Sequence, residues 1–134
     1  MNRGLIITHG KMGLALKDTL ELIVGPVDCI DSFSFGQCDS IDELYGSLVK
    51  YVDKYAEDHI FLFSDIMGGS CANTSLRMLN NPRVHIYAGI NLPMLIVFYT
   101  LRKSNAEDIC ATLITQSRDA VVDLRVVAEQ RKRK

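Results

Sequence analysis

The chain has 134 residues, of which 48% are apolar and 23% charged. That is the length and balance of one globular domain, and it excludes a disordered or fibrous chain. The formal net charge is −1, but the last four residues, Arg131 to Lys134, are all basic; without them 11 Lys and Arg stand against 16 Asp and Glu, a net of −5. A body of that sign repels a phosphate backbone, so nucleic acid is not expected as a partner.

The apolar run Leu92 to Leu101 contains Pro93 and falls well short of the ~20 residues that span a bilayer. Met1-Asn2-Arg3-Gly4 leads straight into a strand-like segment with no leader pattern, and the domain is expected to be soluble and cytoplasmic. The basic tail, 131–134, reads as a solvated end or the start of a linker. Cys29, Cys38, Cys71 and Cys110 show no C-x-x-C spacing and no pairing with histidines in the sequence. Reduced thiols are therefore expected, with no zinc site.

In chain order, Gly4 to Thr8 is a short apolar run suited to a buried parallel strand. Met12, Leu16, Leu20, Ile23 and Val24 recur at helical spacing up to Gly25-Pro26. Val27 to Phe33 reads as a second strand. Ser40-x-x-Glu43 is a capping-box pattern opening a helix with Ile41, Leu44, Leu48, Val52 and Tyr55 on one face. Ile60 to Phe63 reads as the third strand, Cys71 to Asn80 as a helix, Val84 to Ala88 as the fourth strand and Leu92 to Leu101 as an apolar helix. Ser104-x-x-Glu107 is a second capping-box pattern, before Ala106, Ile109, Cys110, Leu113 and Ile114 at helical spacing. Val121 to Val127 alternates at period two and reads as a last strand.

Strands alternating with helices predict an α/β fold, a doubly wound, mostly parallel four-stranded sheet in the flavodoxin-like order. Ligands of such sheets sit beyond the carboxyl ends of the strands, where strand order reverses. The polar segments Thr8-His9-Gly10, Ser64 to Ser70 and Gly89-Ile90-Asn91 fall at those ends. With the first and third strands adjacent, His9 and Asp65 are expected to face each other.

A neutral imidazole carries one ring lone pair, and a carboxylate on the other nitrogen fixes the tautomer and steadies positive charge during attack. His9 is thus the candidate nucleophile and Asp65 its candidate orienter. Gly68-Gly69-Ser70 before a helix forms a candidate anion cradle, with Ser70 either capping the helix or donating its hydroxyl to a phosphoryl oxygen. Gly10-Lys11 adds a second glycine and a cation beside His9. Together these residues suggest a phosphorylated histidine. A receiver domain would want acidic residues in place of Thr8-His9, and a P-loop motif is absent. His59 and His85 read as structural, and Cys71 as a buried inert thiol.

Ile6-Ile7-Thr8-His9-Gly10, Asp65-x-x-Gly68-Gly69-Ser70-x-x-Asn73 and Gly89-Ile90-Asn91-Leu92-Pro93-Met94 resemble the enzyme IIA domain of the mannose-type (mannose/fructose/sorbose) sugar phosphotransferase system. The resemblance implies a phosphocarrier over residues 1–130. His9 would accept a phosphoryl group from the phosphohistidine carrier HPr and pass it to an enzyme IIB, with membrane contact only indirect, through IIC and IID components. It implies that Asp65 pairs with His9, that Ser70 and neighbouring N–H groups hold the phosphoryl oxygens, and that Thr8, Lys11, Asn73 and Asn91 support the loops. No cofactor or metal is implied. It also implies a homodimer that exchanges the last strand.

Four positions depart from the family's habit: Cys71 for proline, Met67 for an aromatic, Gly13 for alanine and Val97 near a glutamate. Two other functions stay open. One is a regulatory module whose phosphorylation is sensed without sugar transport; the other is the phosphoryl-donor subunit of a dihydroxyacetone kinase.

Overall fold

The computed structural model describes residues 1–133; Lys134, the last residue of the basic tail, lies outside them. The elements run β1 (Asn2–His9), α1 (Met12–Val24), β2 (Ile30–Phe35), α2 (Ile41–Lys54), β3 (His59–Ser64), α3 (Ser70–Leu76), β4 (Val84–Ala88), α4 (Leu92–Thr100), α5 (Ala106–Asp119) and α6 (Leu124–Lys132). The four strands form one sheet in the order β2-β1-β3-β4, and every pairing is parallel. This is the doubly wound α/β architecture expected from the alternating pattern.

Both faces of the sheet are covered, because successive side chains of a strand point to opposite sides. Ile6, Phe61 and Phe63 pack with Leu20, Leu95, Phe98, Ile109 and Leu113 on the side of α1, α4 and α5. Leu5, Ile7, Ile60 and Leu62 pack with Leu44, Leu48, Val52 and Met78 on the side of α2 and α3. The strands β1 and β3 are therefore apolar throughout, and their polar groups gather at the ends.

Helix starts follow the side chains that can satisfy free N–H groups. Ser40 caps α2 by accepting from the N–H groups of Asp42 and Glu43, as its pattern predicts. The second pattern is displaced by one residue. Asn105, not Ser104, caps α5, its Oδ1 accepting from the Asp108 N–H at 2.8 Å. Ser104 is already engaged in the turn that ends α4, where its N–H donates to the Leu101 carbonyl at 2.8 Å. Helix α3 is shorter than its pattern predicts. After Leu76 the N–H groups of Arg77, Met78 and Leu79 bond three residues back, to Thr74, Ser75 and Leu76, the tighter geometry that ends many helices.

The largest correction is at the C-terminus. Residues 121–127 do not form a strand: Asp123 caps α6, its Oδ1 accepting from the Arg125 N–H at 2.9 Å. The alternation of Val122, Leu124 and Val126 has no neighbouring strand in this chain to pair with, and the local cap prevails. No residue of α6 is buried. Arg131 and Lys132 form the last turn of α6, where positive charge suits the helix dipole. Among the described residues, no helix is long and apolar enough to cross a membrane.

Candidate active site

Strand β1 ends at His9 and β3 at Ser64, with Ile7 opposite Ser64 in the register. His9, two residues beyond Ile7, and Asp65, one beyond Ser64, both emerge at the carboxyl end of the sheet, where their side chains meet. Asp65 Oδ2 lies 2.8 Å from His9 Nδ1 and accepts the His9 backbone N–H at 2.9 Å. Its Oδ1 accepts the Ile66 N–H at 2.9 Å. Burial opposes the charge on Asp65, but the hydrogen bonds from the His9 backbone and ring and from Ile66 outweigh it and hold the carboxyl below its ordinary range. An ionised Asp65 accepts at Nδ1–H, which leaves the lone pair of the neutral ring on Nε2. The His9 side chain is 47% exposed and that of Asp65 12%. The ring faces solvent while its partner is held beneath.

An open cleft of about 310 Å³ is lined by His9, Gly10, Phe35, Gly36, Gln37 and Ser70. Phe35 meets the His9 ring edge-on, with centroids 6.0 Å apart, and its carbonyl accepts the Gly10 N–H at 3.0 Å. Phe35, Gly36 and Gln37 are absent from the sequence reading because β2 runs two residues beyond the predicted end at Phe33. Their signal was the strand order itself, which places the end of β2 beside the end of β1. A larger cleft of about 560 Å³ along β2 is lined by Lys17, Lys50, Lys54, Tyr51 and other residues. It holds no counterpart of the His9–Asp65 pair.

The glycine loop approaches the ring closely. Gly68 has a φ of +81°, and a Cβ on Gly69 would stand 3.1 Å from His9 Cε1; side chains are disfavoured at both positions. Gly69 occupies the cap position of α3 and supplies no capping side chain. Ser70 is therefore the first helical residue and not the cap, and it lines the cleft. Asn73 braces the loop, donating from Nδ2 to the Gly68 carbonyl at 3.3 Å and from its N–H to that of Gly69 at 2.9 Å.

The other expected residues serve the frame. Thr8 is fully buried, and its Oγ1 accepts the Gly13 N–H at 2.8 Å, tying β1 to the start of α1. Lys11 is the exposed residue before α1 and makes no side-chain cap. Asn91 caps α4 through the Met94 N–H at 2.9 Å and donates to the Ser117 carbonyl at 3.2 Å; none of these bonds reaches His9, Asp65 or Ser70. Gly13 has a local reason: a Cβ there would stand 2.6 Å from Ser32 Oγ and 2.8 Å from Ile6 Cγ2. Met67 is 85% exposed beside the site. Val97 packs against the α1–α4–α5 side of the core.

The fold is thus a doubly wound sheet with a carboxylate-held histidine where the strand order reverses. Residues 4–114 match the family of the phosphotransferase system (PTS) fructose IIA component, EIIA-man, and the chain belongs to that family. It is 29% identical over 101 residues to the PTS system fructose-specific EIIA component of Bacillus subtilis (strain 168), covering 74% of this chain and 69% of that protein. The fold is shared with phosphotransferase system component EIIA from Streptococcus agalactiae, with a TM-score of 0.84, 23% identity, and coverage of 94% and 99% of the two chains. It is also shared with the mannose/sorbose specific IIA subunit from Enterococcus faecalis, with a TM-score of 0.83, 21% identity, and coverage of 91% and 93%.

Proposed function

We propose that this EIIA component is a cytoplasmic phosphocarrier that takes a phosphoryl group on Nε2 of His9 from phospho-HPr and hands it to an enzyme IIB. The observation that carries the reading is the pair of bonds from one Asp65 oxygen to the ring and the backbone N–H of His9. With Nδ1–H donated to a carboxylate, the Nε2 lone pair attacks phosphorus while the P–N bond to the donor imidazole breaks and its electron pair returns to the donor. Positive charge that develops on the His9 ring is steadied by Asp65, which touches the ring and not the phosphoryl group. Ser70 lines the same cleft, and its hydroxyl would donate to a phosphoryl oxygen. Onward transfer to IIB reverses these steps. The sugar never meets this chain.

Incubation with phosphoenolpyruvate, enzyme I and HPr tests the reading by intact mass. Wild type is expected to gain one acid-labile phosphoryl group and lose it when IIB is added. His9→Ala is expected to gain none while keeping its fold, since an exposed strand-end side chain contributes little to stability. A His9→Ala chain that still accepts phosphoryl from HPr contradicts the reading.

A further inference from the structure

Cys71 is the ionisable side chain at this site that phosphoryl transfer leaves without a role. It is the second residue of α3 and fully buried. Its Sγ, a ring nitrogen of His9 and a carboxylate oxygen of Asp65 all lie within 4.8 Å of one another. We propose that His9, Asp65 and Cys71 form a binding site for a zinc-like divalent cation, and that cation binding and phosphorylation of His9 exclude each other. The exclusion, though not the site, rests on the phosphocarrier reading.

The donor set selects the class of cation. Thiolate with imidazole and carboxylate suits a borderline-soft, four-coordinate ion such as Zn²⁺; Mg²⁺ and Ca²⁺ want oxygen shells. Bond lengths of about 2.0–2.3 Å place the donors of a zinc tetrahedron roughly 3.3–3.6 Å apart. To reach that spacing, a separation of up to 4.8 Å in the trio closes by at most about 1.5 Å, and the 2.8 Å contact between His9 and Asp65 opens by roughly half an ångström. The exposed flank of His9 gives the ion an entry path and room for a water as fourth ligand. Only the thiolate ligates a metal, so binding displaces the Cys71 thiol proton, and the ion's own charge reverses the local electrostatics.

Exclusion follows from the ring. A neutral imidazole has one lone pair. If the cation takes Nε2, the acceptor atom is blocked; if it takes Nδ1, the ring proton moves to Nε2, which then cannot attack. Phosphorylation on Nε2 conversely leaves Nδ1 as N–H, donated to Asp65, with nothing to offer a metal.

Equilibrium dialysis of the full chain against Zn²⁺, with Co²⁺ absorption as the spectroscopic probe, tests the site. Wild type is expected to bind one ion per chain and to show a thiolate-to-cobalt charge-transfer band. Cys71→Ala is expected to lose the band and to weaken Zn²⁺ binding by roughly tenfold or more. Should Cys71→Ala not fold, Cys71→Ser replaces the thiolate with a hard oxygen at nearly the same size, and loss of the band is again expected. No stoichiometric binding, or an unchanged band and affinity in these variants, overturns the site. In the HPr labelling assay, Zn²⁺ is expected to suppress labelling of wild type and to spare Cys71→Ala in the same mixture; equal suppression of both overturns the exclusion. A metal-free wild type that takes no phosphoryl group contradicts the phosphocarrier reading instead, and the dialysis result stands apart from it.

Discussion

One oxygen of Asp65 holds His9 twice, accepting its backbone N–H at 2.9 Å and facing its ring Nδ1 at 2.8 Å. The strand end and the imidazole are thereby set by the same group, so the ring is aimed before any partner arrives. Asp65→Asn keeps the size but cannot accept with a full charge. Phosphoryl transfer from HPr is expected to slow by roughly 10²–10⁴-fold, the range for losing a group that orients or assists a histidine. Rapid-quench labelling measures it; an unchanged rate shows Asp65 to be a loop residue only.

Gly69→Ala tests the cradle. Its Cβ would stand 3.0 Å from Ile66 Cγ2 and 3.1 Å from His9 Cε1, so the ring or the loop must shift by a few tenths of an ångström. Transfer is expected to fall by about tenfold or more, as small misplacements at a reacting centre do, with the melting temperature close to wild type.

Gly13→Ala, by contrast, is expected to act on stability. The new methyl meets Ser32 Oγ at 2.6 Å and Ile6 Cγ2 at 2.8 Å, both held by the packing of α1 on the sheet. A loss of about 1–3 kcal/mol is expected from overpacking, read by urea denaturation. Full stability would mean that α1 can lift from the sheet without cost.

Acid is expected to act through the edge of the sheet. His85 stacks on Phe61 with centroids 4.6 Å apart and has its Nε2 2.9 Å from His59 Nδ1. Burial first, and then the neighbouring His59, hold its pKa below the ordinary 6.5. The unfolded chain therefore binds a proton that the folded chain resists, and stability falls as pH drops below about 6.5 towards the lowered folded pKa. His85→Phe removes that titration, and its denaturation midpoint is expected to fall less between pH 7 and pH 5 than that of wild type. Parallel curves for the two chains would place the acid sensitivity elsewhere.

Deletion of residues 124–134 is expected to leave the melting temperature nearly unchanged, because no residue of α6 is buried and Leu124 is 75% exposed. A large loss of stability would show that this segment is packed in solution.

Much of this was legible in the sequence, because strands buried on both faces read as continuous apolar runs and helices as three-to-four-residue repeats. His9 and Asp65 could be paired on paper, since each ends a strand and the strand order makes those ends neighbours. The misreadings have local causes. Val27 and Cys29 are buried but pack before β2 begins, which pulled the predicted strand towards the N-terminus and hid Phe35 to Gln37. Val121 to Val127 carries both periods at once, and only the missing strand partner decides between them. Cys71 and His9 are 62 positions apart, so no ligand spacing could announce their meeting; the fold alone brings them together.

The central claim is that Nε2 of His9 is the phosphoryl acceptor, and nuclear magnetic resonance of ¹⁵N-histidine-labelled chain, phosphorylated by HPr, tests it most directly. Phosphorus coupling to Nε2 of His9, with Nδ1 still bearing its proton towards Asp65, is the predicted result. Coupling to Nδ1 of His9, or to a nitrogen of His59 or His85, would contradict the account.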